Sequence, residues 1–124
     1  MVEKTLKKTL VLGASLNQSR FSNICINTLV EALIPTVAVG RREGEVAGIH
    51  IQTGKPLFEN IHTITLYLGP VNQVQYYEYI LSLEPERIIF NPGTWNPELV
   101  ELAKADGIQI VDNCTLMMIS GGYY

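Results

Sequence analysis

Thr9-Leu10-Val11-Leu12-Gly13-Ala14-Ser15 is the stretch on which the fold turns. An apolar, β-rich run stops at a glycine. Downstream, Phe21, Ile24, Cys25, Leu29 and Leu33 recur at helical spacing, predicting a helix over 21–33. A short strand, a glycine turn and a helix form the opening of a βαβ unit, and Gly13 lies where that turn meets the helix. Ser19 or Ser22 is available as the helix cap, and Pro35 predicts the helix end.

Outward from this unit the same alternation continues. A second strand is expected over 36–39, followed by a mostly irregular, glycine-containing stretch over 40–60 with a short strand at 49–52. The third expected strand is 63–68. Gly69-Pro70 opens a second helix whose inward stripe is Val71, Val74, Tyr77 and Leu81. The fourth expected strand is 87–90. Asn96-Pro97-Glu98 then reads as a cap, a first-turn proline and an acid suited to the helix dipole, with Leu99, Leu102 and Ala103 facing inward until Gly107. The fifth expected strand is 108–111, and residues 115–124 read as a further short strand or an interface arm. Right-handed crossovers between these strands predict a three-layer, doubly wound α/β fold with a five-stranded, mainly parallel sheet in the order 3-2-1-4-5. Ligands of such folds bind beyond the carboxyl ends of the strands, where the loops 13–20, 40–44, 69–70 and 91–95 lie.

Composition narrows the functional classes. A chain of 124 residues with 47% hydrophobic content supplies one domain and one core. The apolar run at 10–12 is far too short for a signal peptide or a membrane span, so a soluble, cytoplasmic protein with no membrane partner is expected. Cys25 and Cys114 form no C-x-x-C pattern, and His50 and His62 are the only histidines, so no metal site is expected and buried thiols are the default. A net charge of −3 argues against nucleic acid, but the distribution is uneven. Residues 1–55 carry seven Lys and Arg against four acids, and the remainder carries two against eight. A small anion held by the first half fits this pattern, as does scattered surface charge.

Gly13-Ala14-Ser15 can bring backbone amides and a hydroxyl to a pyrophosphate at the positive end of the first helix, although the string lacks the full G-x-G-x-x-G fingerprint. The alternative is a tight turn with nothing bound. Where an NAD site places an acid, about 20 residues further on, this chain has Gly40-Arg41-Arg42. That pair can bind a ribose phosphate, at the 2′ position of NADP or the 3′ position of coenzyme A, or can simply be solvated. In Asn91-Pro92-Gly93-Thr94-Trp95 the glycine permits close backbone approach, and the indole either covers a ligand or packs in the core. Cys114 is either a small buried hydrophobe or a thiol that meets a ligand thiol. Ser15 has no evident base and Asp112 reads more readily as a cap than as a general base, so no catalytic set is assembled.

Taken in order, Val11-Leu12-Gly13-Ala14-Ser15, Arg20-Phe21-Ser22-Asn23, Gly48, Asn91-Pro92-Gly93, Asn96-Pro97-Glu98 and Cys114 resemble, nearly end to end, the small stand-alone coenzyme A-binding domain proteins. These in turn resemble the N-terminal nucleotide domain of the succinyl-CoA synthetase α-subunit. The resemblance implies a Rossmann-like fold that binds coenzyme A or an acyl-CoA and implies no reaction. It puts the loop 13–15 and the start of the first helix at the pyrophosphate, and the loop after strand two near the adenosine. On this basis the binding residues are expected to be Gly13, Ala14, Ser15, Arg20, Ser22, Asn23, Gly40, Arg41, Arg42, Leu68, Asn91 and Gly93. Three departures from the family pattern weaken or redirect that expectation: Val39-Gly40 in place of Asn-Pro, Leu68-Gly69-Pro70 in place of an arginine, and Trp95 in place of a smaller or polar residue. The rival readings are an NADP-dependent reductase using Tyr67 and Asp112, and a homodimerising scaffold using residues 117–124 as its arm.

Overall fold

The computed structural model describes residues 6–124, so the first five residues of the positively charged start lie outside the described region. Seven strands form one sheet, in the order β3-β4-β2-β1-β5-β6-β7. They are β1 (Thr9–Ala14), β2 (Thr36–Gly40), β3 (Gly44–Val46), β4 (Ile49–Gln52), β5 (Thr63–Leu66), β6 (Arg87–Phe90) and β7 (Gln109–Asp112). Every pairing is parallel except β3 with β4. The helices are α1 (Phe21–Glu31), α2 (Pro70–Gln73), α3 (Tyr77–Ser82), α4 (Pro97–Ala105) and α5 (Thr115–Ser120), with a 3₁₀ turn at Val74–Tyr76 between α2 and α3. The doubly wound α/β class is as expected, but the strand count and order are not.

The correction to the order has a physical cause. The third expected strand does not pair with β2; β5 runs beside β1, with Thr9 opposite Thr63 and Leu12 opposite Leu66. All four residues of β5 are buried, which demands a central position with both faces covered. The place beside β2 is taken by β4, whose His50 is exposed, as befits a strand near the edge. β4 coincides with the short strand expected at 49–52, and a two-residue turn at Ala47 and Gly48, both with positive φ, folds β3 back onto it as a hairpin within a stretch expected to be mostly irregular.

The helices also depart locally from expectation. Leu29 O accepts from Ile34 N and Val30 O from Leu33 N, so α1 ends at Glu31 in a Schellman turn rather than at Pro35. Leu33 sits in the left-handed region at φ 61 and is 90% exposed. The buried face of α1 is Ser22, Asn23, Cys25, Ile26 and Leu29; Phe21 and Ile24 face outward. The second helix is broken, and its expected stripe holds only in its second half: Tyr77 and Leu81 pack against the core, but Val71 and Val74 are exposed while Gln73, Tyr79 and Ile80 are buried. The cause is Gln73, whose amide is needed inside the protein, as described below. In α4 the cap and the stop are as expected, with Asn96 Oδ1 accepting from Glu98 N at 3.1 Å and Gly107 at positive φ, but the inward face is Leu99, Val100 and Ala103, and Leu102 is exposed.

Two apolar layers flank the sheet. One collects Leu10, Leu12, Ile64, Leu66, Ile88 and Phe90 under α3 and α4. The other collects Val11, Cys25, Ile26, Leu29 and Ile51 under α1 and α5. The tail is neither a strand nor a free arm, because Met118 is buried and Leu116, Ile119 and Tyr124 pack onto the second layer. No helix among the described residues is long and apolar enough to cross a membrane.

Candidate functional site

A groove of about 800 Å³ opens beyond the carboxyl ends of β1, β2, β5 and β6. Its lining joins Gly13, Ala14, Ser15, Leu16, Asn17, Arg20, Phe21 and Ser22 from the first loop and helix to Arg41 and Arg42 after β2, Tyr67 and Leu68 after β5, and Pro92 and Thr94 after β6. The position follows from the topology. β1 connects to β2 on one side of the sheet and to later strands on the other, so the loops part above it and leave a crevice.

Local sequence shapes the crevice wall. Gly13 has φ 98, and a Cβ there would press on the Tyr67 carbonyl carbon at 3.1 Å, so the loop needs glycine on both counts. The next turn is held by its own side chains: Ser15 Oγ accepts from Asn17 N at 3.0 Å, and Asn17 Oδ1 accepts from Ser19 N at 3.0 Å and Ser19 Oγ at 2.8 Å. On the opposite wall, Gln73 Nε2 donates to Leu68 O and to Thr94 O, both at 2.8 Å, tying the two far loops together. Asn96 Nδ2 donates to Gln73 Oε1 at 2.9 Å, which fixes the amide.

Eight of the residues singled out from sequence meet in this lining: Gly13, Ala14, Ser15, Arg20, Ser22, Arg41, Arg42 and Leu68. Of the other four, Asn23, Gly40 and Asn91 support it from behind, and Gly93 lies outside the lining. Asn23 Nδ2 donates to Ser15 O at 2.9 Å, bracing the first loop. Gly40 lets β2 close onto β1, since a Cβ there would collide with the Ala14 carbonyl. Asn91 is a buried hub whose Nδ2 donates to Thr65 Oγ1 at 2.8 Å and Leu66 O at 2.9 Å and whose Oδ1 accepts from Thr115 N at 2.8 Å. Gly93 supplies a positive φ at the tip of its loop. Sequence reasoning missed Leu16 and Asn17, whose only signal was their place between the glycine and the helix.

Position separates several of the remaining candidates from the groove. Trp95 packs edge-on against Phe90, 5.5 Å between ring centroids, and is not in the groove lining. Cys114 and Asp112 also lie outside the lining, whereas Tyr67 is part of it. His50 pairs with Glu43 at 3.1 Å on the exposed hairpin, and His62 Nδ1 bonds Thr63 Oγ1 at 2.7 Å at the opposite end of the sheet. Burial pushes the Cys25 thiol up to about 11. Burial, and next the Cys25 thiol, raise Tyr67 above the ordinary phenol value, so its hydroxyl stays protonated at neutral pH. No cluster of metal-ligating side chains occurs among the described residues.

Electrostatically the lining is one-sided. It contains three guanidinium groups and no carboxylate, and those arginines are exposed at the mouth. Serine hydroxyls and the first amides of α1 lie beside them. Such a surface suits an elongated, multiply anionic ligand, with backbone amides approached closely at the glycine and charge met by arginine further out.

Known structures repeat this architecture. The chain is 45% identical to an uncharacterized protein of solved crystal structure, covering 95% of this chain and 98% of that one, with a TM-score of 0.92. A hypothetical protein from Pyrococcus horikoshii OT3 superposes at TM-score 0.83 with 22% identity over 99% of this chain and 92% of its own. A protein from Thermus thermophilus does so at TM-score 0.83 with 20% identity over 99% and 95%; these last two likenesses establish the fold alone. No curated protein matches significantly. The family model described as the CoA binding domain matches residues 7–120, nearly the whole chain and all of the groove. On sequence and on structure, therefore, the chain belongs to the CoA-binding domain family.

Proposed function

We propose that the groove binds coenzyme A or an acyl-CoA as a binding module. In this reading Gly13, Ala14, Ser15, Arg20 and Ser22 take the pyrophosphate and Arg41 or Arg42 takes the ribose 3′-phosphate. The observation that carries it is the junction, in one carboxylate-free lining, of the glycine loop with the arginine pair after β2. An NAD site would set an acid at that strand end to hold the ribose hydroxyls. Arginine there repels nothing and favours a phosphorylated ribose. The groove volume of about 800 Å³ suits a ligand of this length, within the roughly 300–1,000 Å³ range of ligand sites. Family membership supports coenzyme A as the nucleotide. We place the activity in the cytoplasm, where both thiols remain reduced.

Calorimetric titration with coenzyme A, dephospho-coenzyme A, NADP and NAD tests this, on protein checked for co-purified ligand. Coenzyme A binds most tightly, and removing its 3′-phosphate weakens binding by about tenfold or more, the range for loss of a charge-assisted hydrogen bond. Equal affinity for coenzyme A and dephospho-coenzyme A removes the arginine assignment. A preference for NADP replaces the ligand itself.

A further inference from the structure

Among the described groove residues, Tyr67 alone has a buried side-chain polar atom with no hydrogen-bond partner. Its backbone is fixed at the end of β5, with Tyr67 N donating to Leu12 O at 2.9 Å, and part of its ring lines the groove. Its hydroxyl, however, is buried in the apolar layer under α1 and has no hydrogen-bond partner. The Cys25 thiol and the Thr65 hydroxyl approach it closely enough to interact with it and shift its ionisation, but neither contact reaches the geometry of a formed hydrogen bond. Thr65 is already engaged, since its Oγ1 accepts from Asn91 Nδ2 and bonds Thr115 Oγ1, both at 2.8 Å. A buried donor left unpaired is a standing cost to the fold, and a phenylalanine at this position would avoid it.

Its place in the groove says what the hydroxyl can meet. On one side, Tyr67 abuts Gly13, whose Cβ would lie 3.1 Å from the Tyr67 carbonyl carbon. On the other, Leu68 is tied through Gln73 to Thr94. Tyr67 therefore stands between the glycine loop and the far loops, at the point where a pyrophosphate would continue into an extended arm. The orphaned hydroxyl also remains a donor at neutral pH, because burial holds it protonated.

We infer that Tyr67 is a ligand-responsive specificity residue: its side chain turns from the apolar layer into the groove and donates a hydrogen bond to an oxygen of the distal phosphate or pantetheine arm of the bound coenzyme A. This rests on the coenzyme A reading of the groove. The unpaired hydroxyl biases the ring toward the liganded position, so the cost carried by the free protein is relieved when the arm arrives.

The test compares wild type with Tyr67→Phe in two measurements. In thermal melts without ligand, the variant unfolds at the same temperature as wild type or higher. In titrations, its affinity for coenzyme A falls roughly 5- to 20-fold, the loss expected for one hydrogen bond, while its affinity for adenosine 3′,5′-bisphosphate, which lacks the distal phosphate and the arm, is unchanged. A lower melting temperature for the variant overturns the inference, because the hydroxyl would then be bonded in the free protein. So does undiminished coenzyme A affinity, or an equal loss for both ligands, which would mark a general distortion of the groove. If wild type binds neither ligand, the coenzyme A reading fails and takes this inference with it; if wild type binds both and the variant matches it, only the inference falls.

Discussion

The two ends of the parallel sheet use arginine in opposite ways. At the carboxyl end, Arg20, Arg41 and Arg42 stand exposed around the groove and make no ion pair among the described residues. At the amino end, Arg87 is only 7% exposed, donates through Nε to Thr63 Oγ1 at 2.7 Å, and lies 4.4 Å from the centroid of the Tyr124 ring. Tyr124 is itself clasped, its hydroxyl bonding Thr9 Oγ1 and its carbonyl accepting from Lys7 Nζ at 2.6 Å. One end is closed by the protein's own chain and the other is left open with its positive charge unmatched. The lesson is that a guanidinium enclosed by the chain, as Arg87 is even with its Nη2 unpaired, is withheld from ligands, whereas one left exposed is available to them.

That contrast can be broken first at the closed end. Tyr124→Ala removes the ring over Arg87, the bond to Thr9 and packing against the α1 layer. We expect a loss of about 2–4 kcal/mol in denaturant unfolding, in line with truncation of a largely buried aromatic, with ligand affinity in the groove unchanged. A loss of affinity without a loss of stability would mean that the two ends are not independent.

At the open end the reverse holds. Replacing Arg41 and Arg42 together by alanine leaves the unfolding midpoint within about 0.5 kcal/mol of wild type, as for exposed unpaired surface residues. The same variant weakens coenzyme A binding by roughly tenfold to a hundredfold, measured by calorimetry, if one charge-assisted hydrogen bond is lost. Wild-type affinity would show that the pair is merely solvated.

A smaller effect separates the buried α1 layer from the groove above it. The folded-state pKa of Cys25, about 11, lies above that of a free thiol. The stability contributed by the buried neutral thiol is therefore complete below about pH 8.5, the free-thiol value, and is lost as pH rises through the folded value. Thermal melts from pH 8 to 10 should show stability falling across this window by about 2 kcal/mol, since each unit above the free-thiol value costs about 1.4 kcal/mol. A Cys25→Ala variant should show a shallower decline; an identical slope would mean that other groups carry the pH dependence.

Local signals were legible wherever the physical cause was local. The apolar run ending at Gly13, the Asn96-Pro97-Glu98 cap and the stop at Gly107 each depend on a few neighbouring residues, and each appears as expected. The Ala47-Gly48 hairpin turn is equally local but carries no sequence signal at its first position, because alanine seldom occupies a left-handed conformation. The stripes of α1 and of the segment after Gly69 are only partly legible, with Cys25, Leu29, Tyr77 and Leu81 inward but Phe21, Ile24, Val71 and Val74 outward, for a different reason. Helical spacing alone does not say which arc faces the sheet, and a polar residue can hold an inward position, as Gln73 does by bonding two loops that meet only in the folded chain.

The sequence by itself determined the alternation of strands and helices, the glycine turn after β1 and the arginine pair after β2, and so the α/β class and the ligand chemistry expected at the strand ends. Only the tertiary structure decided that β5 rather than β6 flanks β1, that Asn23, Gly40 and Asn91 brace the groove from behind, that residues 115–120 form a helix packed against α1, and that Tyr67 lines the groove with its hydroxyl unpaired. The division follows the range of the interactions. Turns and caps are written in adjacent residues, whereas strand order and buried hydrogen-bond partners depend on which distant segments bury each other best.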